Sequence, residues 1–84
     1  MDYSTLDIRT IANEIRLDWK KVSPYAEPYL RAMYSLVNIT DDYFADSGAS
    51  VVAYFLSNAS SWKGEVAKAV KLELKARLKK VYGR

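Results

Sequence analysis

The chain has 84 residues and a net charge of +3, and it contains neither cysteine nor histidine. A chain of this length builds one hydrophobic core, so we expect a single domain over residues 1–84. Without these two residue types the chain has no disulfide, no Ser-His or Cys-His nucleophile pair and almost no means of binding zinc. We therefore expect no catalytic residue, no cofactor and no metal, and we interpret the protein as non-enzymatic.

The first helix is predicted over Thr5–Val22. Ser4 or Thr5 can cap it, and Asp7 then lies in the first turn, where the helix dipole favours an anion. Apolar residues recur on one face at helical spacing; they are Ile8, Ile11, Ala12, Ile15, Trp19 and Val22. The Ser23-Pro24 pair ends this helix because proline restricts the residue before it and lacks a donor.

The second helix is predicted over Pro28–Asn38. Proline suits the first helical turn, and a buried face is predicted from the spacing of the apolar residues that follow; they are Leu30, Met33, Tyr34 and Val37. Glu27 and Arg31, four residues apart, predict an exposed ion pair.

Residues 38–48 mix cap and turn residues with two aromatics, so a loop or a single helical turn capped by Thr40 is expected. Tyr43 and Phe44 are predicted to attach this segment to the core. Ser47 can cap a third helix whose apolar face includes Val52, Ala53 and Leu56. The run Val51–Leu56 could by period alone be a strand, but we reject a strand because no partner strand is predicted elsewhere.

The fourth helix is predicted over Trp62–Val81, capped by Ser61, with Glu65 in its first turn and Lys79 and Lys80 in its last. One apolar arc of about 120° forms its core face; this arc contains Val66, Ala67, Val70, Leu74, Leu78 and Val81. The predicted fold class is all-α, a small bundle of three long helices plus one shorter helix or helical turn.

Positive charge is concentrated in this last helix. Residues 62–84 hold eight basic and two acidic residues, a net of +6, whereas residues 1–61 carry −3. Four lysines, which we call the lysine stripe, fall in an arc of about 80° beside the core face; they are Lys68, Lys71, Lys75 and Lys79. Such a stripe can bind an anionic partner such as a phosphate backbone, or it can be the solvated flank of an amphipathic helix.

Leu72 lies on the outer side of the fourth helix, between Ala69 and Ala76. These three residues form a narrow second apolar surface, which we call the outer strip. It is either one isolated exposed leucine or a helix-packing contact with a second copy or a partner.

Seven tyrosines are present, and three of them cluster around the second helix. Tyrosine is common both at interfaces and at the edges of small cores. Because Tyr34 lies on the predicted core stripe, Tyr25 and Tyr29 are the candidate interface residues.

Two motif interpretations fit poorly. Residues 52–66 loosely resemble a helix-turn-helix, but Lys63 falls where that motif has a buried aliphatic residue and Ser57 where it favours glycine. Asp41, Asp42 and Asp46 form an acidic cluster, yet residues 41–50 lack the ligand spacing and closing glutamate of a calcium loop. Capping and solubility are the better account of the cluster.

The N-terminal residues include neither a basic n-region nor an apolar h-region, and the longest apolar run is too short to cross a bilayer. We therefore expect a cytoplasmic protein. The segments DIRTIANEIRLDWKKV (residues 7–22), AEPYLRAM (26–33) and VVAYFLSNASSWKGEVAKAVKLELKARLK (51–79) resemble short uncharacterised all-helical proteins encoded by phages and prophages of Gram-positive, chiefly actinobacterial, bacteria. The resemblance implies a bacterial host cytoplasm and a viral or prophage role.

From these observations we expect a small helical interaction protein that acts by protein–protein contact, through self-association or through binding of a host factor. The alternative is a nucleic-acid-binding accessory module that uses the lysine stripe. No small-molecule substrate is inferred.

Overall fold

The computed structural model describes residues 2–83. Four helices, a short 3-10 turn and one small hairpin follow one another in the chain. In order they are the 3-10 turn (Tyr3–Thr5), α1 (Ile8–Asp18), α2 (Glu27–Met33), β1 (Asp42–Tyr43), β2 (Asp46–Ser47), α3 (Gly48–Ser57) and α4 (Glu65–Tyr82). We call residues 42–47 the hairpin.

Helix α1 begins three residues later than predicted, and Asp7 is its N-cap rather than a first-turn residue. The Asp7 carboxylate accepts a hydrogen bond from the Thr10 backbone N–H at 2.9 Å. The Ile8 and Arg9 N–H groups, which have no partner inside the helix, donate to carbonyls of Val37 and Leu36. The predicted caps Ser4 and Thr5 lie in the separate 3-10 turn instead.

Helix α1 also ends earlier than predicted, at Asp18 rather than Val22. Trp19 leaves the helical conformation, although its N–H still donates to the Ile15 carbonyl. Its indole stacks on Trp62 with ring centroids 5.8 Å apart and meets Phe55 edge-on at 6.3 Å. The helix ends there because this residue turns its ring into the core.

Helix α2 has seven residues and ends at Met33, so the prediction of a helix to Asn38 is wrong. Beyond it, the N–H groups of Tyr34, Ser35 and Leu36 donate to carbonyls three residues back. Because the chain turns more tightly here, the carbonyls of residues 36 and 37 accept from N–H groups of α1. This explains why α2 ends before Asn38. Tyr34 and Val37, predicted to be buried, are 38% and 39% exposed.

The hairpin occupies part of the predicted loop and was not foreseen by an all-α prediction. Asp42 pairs with Ser47, and Tyr43 with Asp46, in antiparallel register. Ser47 then caps α3 by accepting from the Ser50 N–H, which confirms the predicted cap. Residues 51–56 are helical, as expected.

Helix α4 starts at Glu65, because Trp62 and Lys63 lie in the preceding loop. Its N-cap is Gly64, at φ 111°, rather than Ser61. Trp62 is 2% exposed and its indole N–H donates to the Asp18 carboxylate at 2.8 Å. The stacking of this ring on Trp19 keeps residue 62 outside the helix.

The core lies between α1, α2, α3 and the inner face of α4. Mostly helical structure is confirmed, but the prediction of three long helices is wrong: α1, α2 and α3 have 11, 7 and 10 residues, and α4 has 18. Within residues 2–83, no helix combines the length and apolar character needed to span a membrane.

Candidate functional site

The outer strip lies at the surface of α4, next to the N-terminal turn. Leu72 is 70% exposed, a large fraction for a leucine in the middle of an 18-residue helix. Ala69, Leu72 and Ala76 share one shallow groove of about 410 Å³ with Asp2, Tyr3 and Glu73. The structure therefore brings the three predicted residues together in one concave surface.

Three members of the lysine stripe are exposed on the same side of α4. Lys68, Lys75 and Lys79 make no side-chain hydrogen bond or ion pair with any residue in the range 2–83. With the outer strip they form a surface that we call the outer face, in which cations border an apolar centre. The outer face is the candidate functional site.

Lys71, the fourth member of the stripe, has a different environment. Its ammonium group donates to the backbone carbonyls of Ala59 and Trp62, at 2.7 and 2.6 Å. It also lies 5.8 Å from the centroid of the Trp62 ring. These contacts join α4 to the loop between α3 and α4 (residues 58–64), so Lys71 stabilises the fold.

The pKa of Lys71 is lowered from its ordinary value, first by burial and then by the nearby charges of Lys75 and Lys63. Lys75 and Lys63 therefore place further positive charge close to the Lys71 ammonium group. Because burial disfavours the charged form of an amine, the carbonyl contacts supply the compensating hydrogen bonds.

Arg77 has the corresponding position on the opposite flank of α4. Its Nη2 atom donates to the carbonyls of Tyr3 and Leu6, at 2.8 and 2.6 Å. Its Nε atom pairs with Glu73 at 2.7 Å, and both side chains are largely shielded from solvent. Arg77 thus attaches the N-terminal turn to α4, and sequence reasoning missed it.

A sequence signal for both flanking residues does exist. At 100° per residue, Arg77 falls inside the core arc and Lys71 falls about 20° from Leu78 at its edge. Lys68, Lys75 and Lys79 lie farther from that arc. A cation that falls within or beside the apolar arc of a helix is expected to bind a group of the same molecule.

The outer face is positive along its lysine edge, whereas the groove beside Leu72 contains the carboxylates of Asp2 and Glu73. Glu73 is paired with Arg77, and Glu65 lies at the N-terminal end of α4. The exposed lysines are therefore not neutralised along the middle of the helix. An approaching partner meets positive charge along one edge of an apolar centre.

Tyr25 and Tyr29, the other predicted interface residues, have different surroundings. Tyr25 is 76% exposed. Tyr29 is half-buried and stacks on Tyr54 with ring centroids 5.4 Å apart. Neither tyrosine lines the groove that contains Leu72, so the structure does not join them to the outer strip.

The predicted Glu27–Arg31 pair is present, at 3.0 Å, and belongs to a larger group. Both terminal nitrogens of Arg16 donate to the Glu27 carboxylate at 2.7 Å. The Arg16 hydrogen bonds, followed by that from Arg31, lower the pKa of Glu27 to about 2. This group ties α1 to α2 and leaves no carboxyl suited to acid–base catalysis there.

The hairpin carries the most exposed large apolar residue of the described chain, Phe44, which is 90% exposed. The prediction that Phe44 attaches the loop to the core is wrong. Tyr43, in β1, turns inward and is half-buried, whereas Phe44 lies in the turn that follows, with a positive φ of 54°. The polar residues around Phe44, including Asp42 and Asp46, are the signal that could have placed it at the surface.

The acidic residues of this region do not assemble into a metal site. Asp41 accepts hydrogen bonds from the backbone N–H groups of Val37 and Asn38, at 3.0 and 2.9 Å. No group of three or more potential metal ligands occurs within residues 2–83. Asp41 therefore stabilises the turn that precedes it in the chain, and it is Ser47 that caps α3.

Comparisons with models of known protein families, with curated proteins and with solved structures gave no match. The interpretation of the outer face therefore depends on the residues and geometry described above.

Proposed function

We propose that this protein is a small, non-enzymatic interaction module that binds another protein through the outer face of α4. The observation that carries the proposal is the exposure of Leu72 in a groove between two alanines. The three exposed lysines of the stripe lie along one edge of the outer strip, outside the lining of the groove. Small residues beside a large apolar one allow close approach of a partner. A central apolar contact surrounded by charge is the usual anatomy of a binding surface.

The outer strip and the three exposed lysines lie outside the hydrophobic core. The buried side of α4 is supplied by Ala67, Val70 and Leu74. The flanks are attached by Lys71 and Arg77. A groove that combines an exposed leucine with small residues, and that lies outside the core, supports a role in binding.

The expected partner presents an apolar residue among carboxylates. Opposite charge accelerates association and excludes basic competitors. Lys68, Lys75 and Lys79 supply that charge here. The resemblance to phage and prophage proteins suggests a bacterial factor as the partner and an actinobacterial cytoplasm as the setting.

Affinity capture from an actinobacterial lysate tests the proposal, using the wild type and two matched variants. Leu72→Glu places a carboxylate at the centre of the outer strip. Leu17→Glu makes the same change at another exposed leucine, on α1, which is 58% exposed. We expect a protein captured by the wild type and by Leu17→Glu to be lost with Leu72→Glu.

The same captured proteins with all three baits would contradict the proposal. Circular dichroism of both variants checks that the helical content is unchanged. This check separates a loss of binding from a loss of fold.

Nucleic-acid binding is the second candidate, favoured by the exposure of Lys68, Lys75 and Lys79 on one face. Its test is the affinity for duplex DNA as a function of salt. Three phosphate contacts predict a slope of log K against log salt of about −2.7. Replacement of these three lysines by glutamine should then abolish binding, whereas no binding at low salt excludes this candidate.

A further inference from the structure

The tip of the hairpin holds an aromatic residue in an unfavourable conformation. Phe44 and Ala45 form the two-residue loop between the paired residues Tyr43 and Asp46. Phe44 has φ 54°, and it is the non-glycine residue with positive φ in the described chain. The first central position of such a turn favours glycine.

The fold gains little from this phenylalanine. Phe44 is 90% exposed, and its ring meets the edge of Tyr43 at 4.8 Å. A strained, exposed aromatic is a reason to look for a binding role. Phenylalanine carries a large apolar area that a partner can bury.

Charge around the hairpin tip is opposite to charge around the outer strip. Asp42 and Asp46 are exposed on either side of Phe44. Lys68 and Lys75 lie beside Leu72, and both lysines are exposed. One surface is an apolar projection between two carboxylates. The other is an exposed leucine with one lysine a helical turn before it and one a turn after it; its groove also contains Asp2 and Glu73, of which Glu73 is paired with Arg77.

The two surfaces do not cover each other within one molecule. The hairpin packs against α3. Phe44 and Leu72 stay 90% and 70% exposed. A contact between them therefore requires two molecules.

We propose that the hairpin of one molecule docks in the outer strip of a second copy, with Phe44 against Leu72 and the aspartates against the lysines. This inference rests on the proposed function and names a partner for the same surface. The contact joins two different surfaces, so it repeats head to tail and forms a chain or a closed ring.

The contact is small. One phenylalanine offers on the order of 150–250 Å² of area, far below that of a standard stable interface. Association is therefore weak at each contact and sensitive to salt. It is best measured at high protein concentration and low ionic strength.

A charge exchange followed by sedimentation velocity tests the docking. One variant carries Asp42→Lys with Asp46→Lys, and the other carries Lys68→Glu with Lys75→Glu. Each variant alone repels itself at the contact and should sediment as a 9.6 kDa monomer. The equimolar mixture has complementary surfaces again and should regain the concentration-dependent mass of the wild type.

Phe44→Gly provides an independent variant, because glycine accepts the positive φ and the hairpin keeps its conformation. Association should be lost although the fold is retained. A wild type that sediments at 9.6 kDa at every concentration, a mixture that stays monomeric, or association that persists in Phe44→Gly would each overturn the proposal.

These outcomes are separable from the fate of the proposed function. If the wild type is monomeric while Leu72→Glu still abolishes capture of a host protein, docking between copies is wrong and the interaction module stands. If capture does not depend on Leu72 and charge exchange restores nothing, both are wrong.

Discussion

The flanks of α4 and its outer face contain the same residue types but use them differently. On the flanks, Lys71 and Arg77 each donate to two backbone carbonyls outside the helix. On the outer face, Lys68, Lys75 and Lys79 have no such partner within residues 2–83. Cations with partners stabilise the fold, and the exposed cations of this helix remain available to another molecule.

The difference lies in the backbone around each cation. Lys71 donates to a backbone carbonyl in the loop between α3 and α4, and Arg77 donates to one in the N-terminal turn. The carbonyls of Ala59 and Tyr3 also accept from a backbone N–H, so the cations matter most for those of Trp62 and Leu6. A buried carbonyl left unpaired costs free energy. Net charge alone therefore does not indicate which lysines bind a partner.

The largest loss of stability is expected from Arg77→Met. The change removes the donors to the Tyr3 and Leu6 carbonyls and leaves Glu73 without its partner. We expect the free energy of unfolding to fall by about 2–3 kcal/mol. Urea denaturation measures it, with Lys80→Met as the matched exposed control, and equal values for the two variants would show that this flank is unimportant.

Lys71→Met should have the next largest effect. It keeps an unbranched side chain, one atom shorter, but removes both hydrogen bonds to the α3–α4 loop. The expected loss is about 1–2 kcal/mol, against less than about 0.5 kcal/mol for Lys75→Met four residues away. A comparable loss of unfolding free energy in both variants would show that Lys71 and the exposed lysines contribute equally to the fold, and would contradict this prediction.

Acid should weaken the link between α1 and α2. The pKa of Glu27 is about 2 in the folded protein and 4.5 ordinarily, so the ionised carboxylate favours the folded state. This contribution is complete above about pH 5 and is lost as the pH falls through 2. Glu27→Gln should flatten the dependence of stability on pH in this window, and an unchanged profile from pH 5 to 2 would contradict the assignment.

The smallest effect on stability is expected from the outer face. Replacement of Lys68, Lys75 and Lys79 together by glutamine should change the free energy of unfolding by less than about 0.5 kcal/mol, because these groups are solvated. Thermal denaturation at low and high salt measures the change. A large destabilisation would mean that the outer face belongs to the fold.

Local patterns in the sequence predicted the helices better than their ends. Ser47 has a local role as a cap, and the buried residues Ile8, Ile11 and Ile15 follow a single helical period. The ends of α1 and α4 depend on Trp19 and Trp62, which are far apart in the chain and stack in the fold. No local pattern contains that contact.

The candidate site was predictable in part for the same reason. The position of Leu72 between two alanines on the outer side of α4 follows from helical geometry. The separation of Lys71 from the rest of the stripe depends on where the α3–α4 loop passes, and the exposure of Phe44 depends on the pairing of β1 with β2. Both require tertiary structure.

The most direct test of the central claim is site-specific photo-crosslinking in actinobacterial cells. A photoreactive phenylalanine analogue is placed at position 72, on the outer strip, or at position 17, an exposed position on α1. We predict a discrete crosslinked protein adduct from position 72 and none of that mass from position 17. Adducts of the same mass from both positions, or none from position 72, would contradict the assignment of the outer face as the binding surface.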